Sequence, residues 1–364
     1  MMLRKLLQLK LKFVRILPSN QKRYNKRVSN SKDQSQEQLQ EASNSLRLKY
    51  RLYRGKIPNH LQVILQPINS LLSAVIPWTV FFAAYGFFVS LLFNLGFTSI
   101  ALSENSNVLT RIIWSFNIIL TLLLVFRTNT AHDRFWEGRK LWGSLVNVIR
   151  NLARDIWIII KEKSPEDRQD KEATLLLIAA FAIAMKLHLR GKPVNEELEL
   201  LMSESQYLQL QQVNHPPLQI AFWIGDYLQQ QHDYRCLDIY QLTALNKLVG
   251  ELVNILGGCE RILKTPLPLI YGIILRMFVF VYCIILPLEL VNNIHWWTGA
   301  INAFVGFSLL SIEHVGGEIE EPFGCDSNDL PLNVICDTIL LNVREIISFT
   351  PQSARAGCKI ENKI

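Results

Sequence analysis

Six residues between positions 111 and 129 have the types and the spacing that suit the passage of ions. On a helix that advances about 100° per residue, Arg111, Ser115, Ile118, Leu122, Phe126 and Asn129 fall on one narrow face. That face is polar at both ends and apolar for two turns between them. Repeated around an axis, it makes a wide polar mouth, a hydrophobic constriction that controls wetting, and a polar inner vestibule. The same spacing also serves plain helix packing, and the pattern alone leaves both readings standing. Bond-making chemistry has no comparable signature. His132 beside Asp133 lacks a nucleophile motif such as G-x-S-x-G. The run Glu313, His314, Glu318, Glu320 and Glu321 contains chelating residue types, but such a run is more often ion-paired or solvated. Arg276 stands in the middle of the apolar stretch "LPLIYGIILRMFVFVYCIILPL". A charge there needs water or a partner, and pairing with a carboxylate on a neighbouring helix is preferred over contact with a permeating ion.

These residues must be positioned by membrane helices. The chain of 364 residues is 49% hydrophobic and 19% charged, with mean hydropathy +0.17. Its net charge of +7 is unevenly placed, because residues 1–60 hold 15 Lys and Arg against 3 Asp and Glu. A basic arm followed by apolar spans suits anionic lipid rather than nucleic acid. No charged residue occurs between Lys56 and Glu104. Within that stretch, residues 71–95 suffice to cross a bilayer core of about 30 Å. A second span is expected at about 108–127; its strictly apolar part, 112–126, gives only about 22 Å of helix, which suits a sheltered or water-lining position. A third is expected at 267–288 and a fourth at 292–312, with Trp296 and Trp297 as interfacial aromatics. The connections 96–107 and 289–297 contain no Lys or Arg, which places both termini and the middle region on the cytoplasmic side.

The middle region, 128–264, reads as a helical cytoplasmic domain. Its apolar piece "ATLLLIAAFAIAMKLHLR" is too short before Lys186 to span, so it reads as a buried core helix. The stretch "RTNTAHDRFWEGRKLWG" after the second span holds no helix breaker until Gly138, so that helix is expected to continue out of the membrane, with Arg134, Glu137, Arg139 and Lys140 in ion pairs and Trp136 and Trp142 in packing. Residues 1–46 read as a largely disordered arm and 351–364 as a tail. The opening segment has no secretory signal, though a transit peptide fits its basic, acid-poor character. Six widely spaced cysteines point neither to a disulfide framework nor to a zinc site.

Three motifs carry a resemblance: "LLLVFRTNTAHDRFWEGRKLWGSLVNVIR" (122–150), "GGCERILKTPLPLIY" (257–271) with "ILRMFVFVYCIILP" after it, and "IEHVGGEIEEPFGCDSNDLPL" (312–332). Together with the order of spans, the sequence resembles the bestrophin family of membrane channels, in its prokaryotic and chloroplast branch, over about residues 47–350. The resemblance implies an all-α homopentamer with four membrane helices per subunit and one axial ion pathway. It implies that the neck of that pathway falls on Ile118, Leu122 and Phe126, the apolar residues of the helical face whose Arg111, Ser115 and Asn129 make the mouths, and that a second constriction lies near Tyr240, where a packing aromatic is the equal alternative. Animal relatives carry an acidic run after the matching Pro-Phe-Gly that holds calcium. Here the run is Cys325, Asp326, Ser327, Asn328 and Asp329, too poor in carboxylates for such an ion. Asp326 and Asp329 are therefore expected to make Asx turns or to cap the helix starting near Pro331, and no metal or other cofactor is expected.

The function so implied is an ion channel for monovalent anions, chiefly chloride, in a bacterial plasma membrane or a thylakoid. The expected partners are other copies of the chain, the ions and membrane lipid. Arg111 and Arg127, closing the short second span, would concentrate anions near the axis. Ile, Leu and Phe carry no charge with which to choose, so a cation channel of the same fold remains the first alternative. A non-conducting membrane scaffold is the second.

Overall fold

A computed structural model describes residues 68–97, 107–326 and 328–349 of the chain. The arm at 1–46, the tail at 351–364 and most of the first connection lie outside the described residues. Among the described residues, regular structure is entirely helical: α1 Ile68–Asn94, α2 Asn107–Ile159, α3 Pro165–Leu189, α4 Glu196–Glu199, α5 Glu204–Gln212, α6 Pro216–Asp233, α7 Ile239–Lys264, α8 Leu269–Ile294, α9 Trp297–Glu320 and α10 Leu332–Ser348.

The second span and the polar stretch after it are one helix. α2 has 53 residues, about 80 Å at 1.5 Å per residue. Ile113, Leu120, Leu124 and Ala131 are buried along its first half, and Trp142, Leu145, Ile149, Leu152 and Ile156 along its second. The two halves belong to separate apolar clusters. The first joins Val75 and Phe82 of α1, Leu275, Val279 and Cys283 of α8, and Leu310 of α9. Between apolar helices in lipid the hydrophobic drive is small, so close packing and polar contacts matter more. The Asn302 amide donates to the Phe82 carbonyl at 2.9 Å, and the Tyr271 hydroxyl donates to the Leu123 carbonyl at 3.1 Å. At the crossing of α1 and α9, a Cβ on Gly86 would lie 2.8 Å from the Gly299 Cα, a separation that only glycine allows.

The second cluster is a water-soluble type of core. It gathers α3, α6, α7, α10 and the far half of α2 around Phe181, Met185, Ile224, Leu252 and Ile339. α3 has the length and apolar composition of a membrane span, as do α1, α2 and α8, but it is mostly buried inside the protein. Its lysines show why it belongs here. Lys171 donates to the Ile160 carbonyl and pairs with Glu162, and Lys186 pairs with Glu197 at 2.6 Å. The helix starts at a capping box formed by Ser164 and Asp167.

Two boundaries differ from the sequence expectation. Residues 289–297 are not a loop: α8 runs to Ile294, and the reversal is confined to His295 and Trp296, with His295 in the left-handed region at φ 45°. Glu289 and the asparagines after it do not break a helix, so polarity alone misplaced that end. α9 begins at Trp297 rather than 292 and continues past 312 to Glu320. Its first acidic residue, Glu313, is neutralised inside the protein and marks no boundary.

Candidate functional site

On α2 the face selected from the sequence points away from the other described helices of the subunit. Ile118 is 68% exposed, Leu122 52% and Phe126 55%. Arg111, Ser115 and Asn129 are exposed on the same face. Packing against another described helix of the same chain therefore does not account for the stripe. The Ser115 hydroxyl donates to the Arg111 carbonyl at 2.9 Å, so at rest it is turned into its own helix. A helix with this outer face can offer uncharged apolar contacts in the middle and hydrogen-bonding groups at either end.

Arg127 corrects the expectation that it concentrates anions. Its side chain is buried, on the face opposite the stripe, and Nη1 lies 2.7 Å from Glu313 Oε1. Arg276 Nη2 reaches the same oxygen at 2.9 Å from the exposed side. One buried carboxylate thus holds two guanidinium groups from α2 and α8. The charge that closes the apolar run of α2 faces the protein interior because its partner is there, 186 positions along the chain. The remaining acidic residues of that motif do not converge. His314 faces Glu318 at 3.3 Å one turn on, and Glu320 accepts the Leu267 backbone N–H at 2.9 Å.

Below this level, Arg134 is in no ion pair among the described residues. It donates to the carbonyls of Ile262, Thr265 and Glu320, and so ties α2 to the ends of α7 and α9. Glu137 pairs with Arg261 at 2.5 Å. Trp142 is fully buried, whereas Trp136 is half exposed beside Lys140. Tyr240 stands in the first turn of α7, where Asp238 forms a capping box, and is 84% exposed. It is not a packing aromatic among the described residues.

The acidic turn also departs from expectation. α10 starts after Pro331 with no side-chain cap, so neither aspartate caps it. Asp329 instead accepts the Asp326 backbone N–H at 2.6 Å and closes a tight turn against Gly324, where a Cβ would meet its carboxylate at 2.5 Å. Burial pushes the Asp329 carboxyl up from the usual range, while the Asp326 amide pulls it back.

One cluster had no signal in the sequence. His188 at the end of α3, His215 just before α6, and Glu260 in α7 meet on a single oxygen. His188 Nε2 lies 2.8 Å and His215 Nε2 2.7 Å from Glu260 Oε1, and Lys264 Nζ sits 2.9 Å from Oε2. Burial pushes the Glu260 carboxyl up, but hydrogen bonds from Lys264, His188 and His215 outweigh it and hold it at about 2. The three residues are spread over 73 positions, so no local spacing motif could have grouped them.

A family model described as bacterial/fungal bestrophin protein matches residues 52–345. The chain is 50% identical over 290 residues to a voltage-dependent anion channel-forming protein of Nostoc sp., covering 80% of this chain and 92% of that one. It is 53% identical over 235 residues to a protein of the same description from Synechocystis sp., covering 65% and 76%. Among solved structures, a single-residue variant of a bacterial bestrophin homologue from Klebsiella pneumoniae superposes with TM-score 0.69 at 26% identity, covering 76% of this chain and 100% of the other.

Proposed function

The chain belongs to the bestrophin family, as an all-helical integral membrane protein, and from this premise we propose that it is a channel for monovalent anions, chiefly chloride. The anion reading is supported by its relatives, which are described as anion channel-forming proteins. Five copies would surround one axis, each turning the outer face of α2 inward. The observation that carries this reading is the exposure of Ile118, Leu122 and Phe126 on a face that also bears Arg111, Ser115 and Asn129. A charged side chain on a lipid-facing surface is costly, whereas a shared water-filled axis accommodates it.

In this mechanism the Arg111 ring sits at one mouth and raises the local anion concentration. The Ile118, Leu122 and Phe126 rings form a neck whose wetting controls flux. Arg127 takes no part, because Glu313 neutralises it within the subunit. Charge selection then falls to Arg111 among the two arginines that bound the short apolar segment.

The test is the reversal potential of purified protein in a planar bilayer under a KCl gradient. The expected value approaches the chloride equilibrium potential, and Arg111→Glu moves it toward that of potassium. A wild-type reversal at the potassium potential would make this a cation channel of the same fold. An absence of current in wild-type protein and in Leu122→Ala alike would favour a non-conducting scaffold.

A further inference from the structure

We infer that His188, His215 and Glu260 form a binding site for a divalent transition-metal ion such as zinc. It lies in the helical bundle, away from the face of α2. Their ligand atoms all lie within 4.8 Å of one another. The donor set is two imidazole nitrogens and one carboxylate oxygen, which suits zinc and its neighbours. Calcium and magnesium want more oxygen ligands than this site supplies.

The geometry needs little adjustment. In a tetrahedral zinc site with bonds of about 2.0–2.1 Å, neighbouring ligand atoms stand about 3.3 Å apart. The Nε2 to Oε1 separations are 2.8 and 2.7 Å, so each imidazole would withdraw by roughly half an ångström. All three side chains are partly exposed, which leaves room for that movement. Lys264 occupies the other oxygen of Glu260 from an exposed position and leaves Oε1 available. The His215 Nδ1 has no hydrogen-bond partner. That nitrogen is therefore free to carry a ring proton while Nε2 binds the metal. Water completes the fourth position. An entry path exists beside His188, where a cavity of about 420 Å³ is lined by Leu187, Gly191, Val213, Asn214 and Pro216.

A metal here would staple the end of α3, the start of α6 and the last third of α7. Glu260 lies just over one turn before Thr265, whose carbonyl is held by Arg134 of α2. The site therefore restrains the segment that leads through Pro266 and Pro268 into α8. It does not depend on conduction.

The experiment equilibrates full-length, detergent-solubilised protein with ZnCl2, desalts it, and measures bound zinc by mass spectrometry. Wild-type protein should retain about one zinc per subunit. Cys325→Ser, which removes an exposed thiol, should retain the same amount. His188→Gln and His215→Gln should lose it, and zinc should raise the melting temperature of the wild type but not of these variants. Excess CaCl2 should not displace the metal. Wild-type protein without stoichiometric zinc overturns the proposal, as does equal retention by both histidine variants. If the variants do not assemble, the cobalt spectrum of the wild type decides. Intense visible bands of tetrahedral Co2+ support the site, and the weak absorption of an octahedral aquo ion overturns it.

Discussion

Glu313 holds Arg127 and Arg276 with one carboxylate oxygen, and the unequal burial of the three ranks their substitutions. Glu313→Gln leaves the Arg127 charge buried without a counterion, and removing one partner of a buried pair costs about 3–5 kcal/mol. Arg276 is more than half exposed, and Glu313 keeps Arg127 when it is lost. Arg276→Leu should therefore lower the melting temperature of the solubilised protein far less than Glu313→Gln; a reversed order would show that Arg276 carries the assembly. The sequence could place Arg276 in a span and require a partner for it, but could not choose the partner, because the three residues come from three helices. For the same reason Arg127 read as a mouth charge. Glu260 gives a pH dependence of definite sign. Its carboxyl is held at about 2 in the folded protein against 4.5 ordinarily, so its contribution is present above pH 4.5 and is lost as pH falls toward 2. Chemical unfolding of metal-free protein between pH 5 and 3 should show stability falling with pH, and Glu260→Gln should flatten that slope.

Elements were legible where a continuous pattern defines them. The absence of Pro and Gly from Asn107 to Glu137 marked α2 as one long helix through the edge of its apolar run. The short apolar length before Lys186 marked α3 as a bundle helix despite its composition. Helix ends set by tertiary contacts were not legible: the α8 to α9 reversal depends on the backbone of His295, and the length of α9 on the neutralisation of Glu313. Close approach between helices is equally invisible in a single sequence, and two glycines in helices separate its effect from that of propensity. Gly86→Ala would drive a methyl group into the Gly299 backbone at 2.8 Å, an overpacking expected to cost about 1–3 kcal/mol. Gly225 in α6 has open space around the same position, so Gly225→Ala should stabilise its helix by roughly 1 kcal/mol. Thermal unfolding should therefore move in opposite directions for the same chemical change. A fall in both would place Gly225 against another copy of the chain.

At the scale of the whole molecule, the described residues of one subunit leave the outer face of α2 without a partner, and the proposed pentamer gives that face a common axis. Cross-linking distinguishes an axis from a lipid surface. Ser115 lies on the α2 face, and Phe304 is exposed on α9. In a background with Cys325 and Cys358 replaced by Ser, the remaining cysteines, Cys236, Cys259, Cys283 and Cys336, are buried. Ser115→Cys should then form disulfide-linked dimers on mild oxidation, since neighbouring subunits would present that position to one another across the pathway. A ring with an odd number of members leaves one thiol unpaired, so a monomer band should persist at completion and nothing larger than a dimer should appear. Phe304→Cys should remain monomeric, because Phe304 stands on α9 and not on the α2 face that the proposed axis would gather. Dimers at position 304 with none at 115 would turn the subunit around and make the α2 stripe a lipid or scaffold surface. Complete conversion at 115, with no monomer left, would keep the axis and require an even number of subunits.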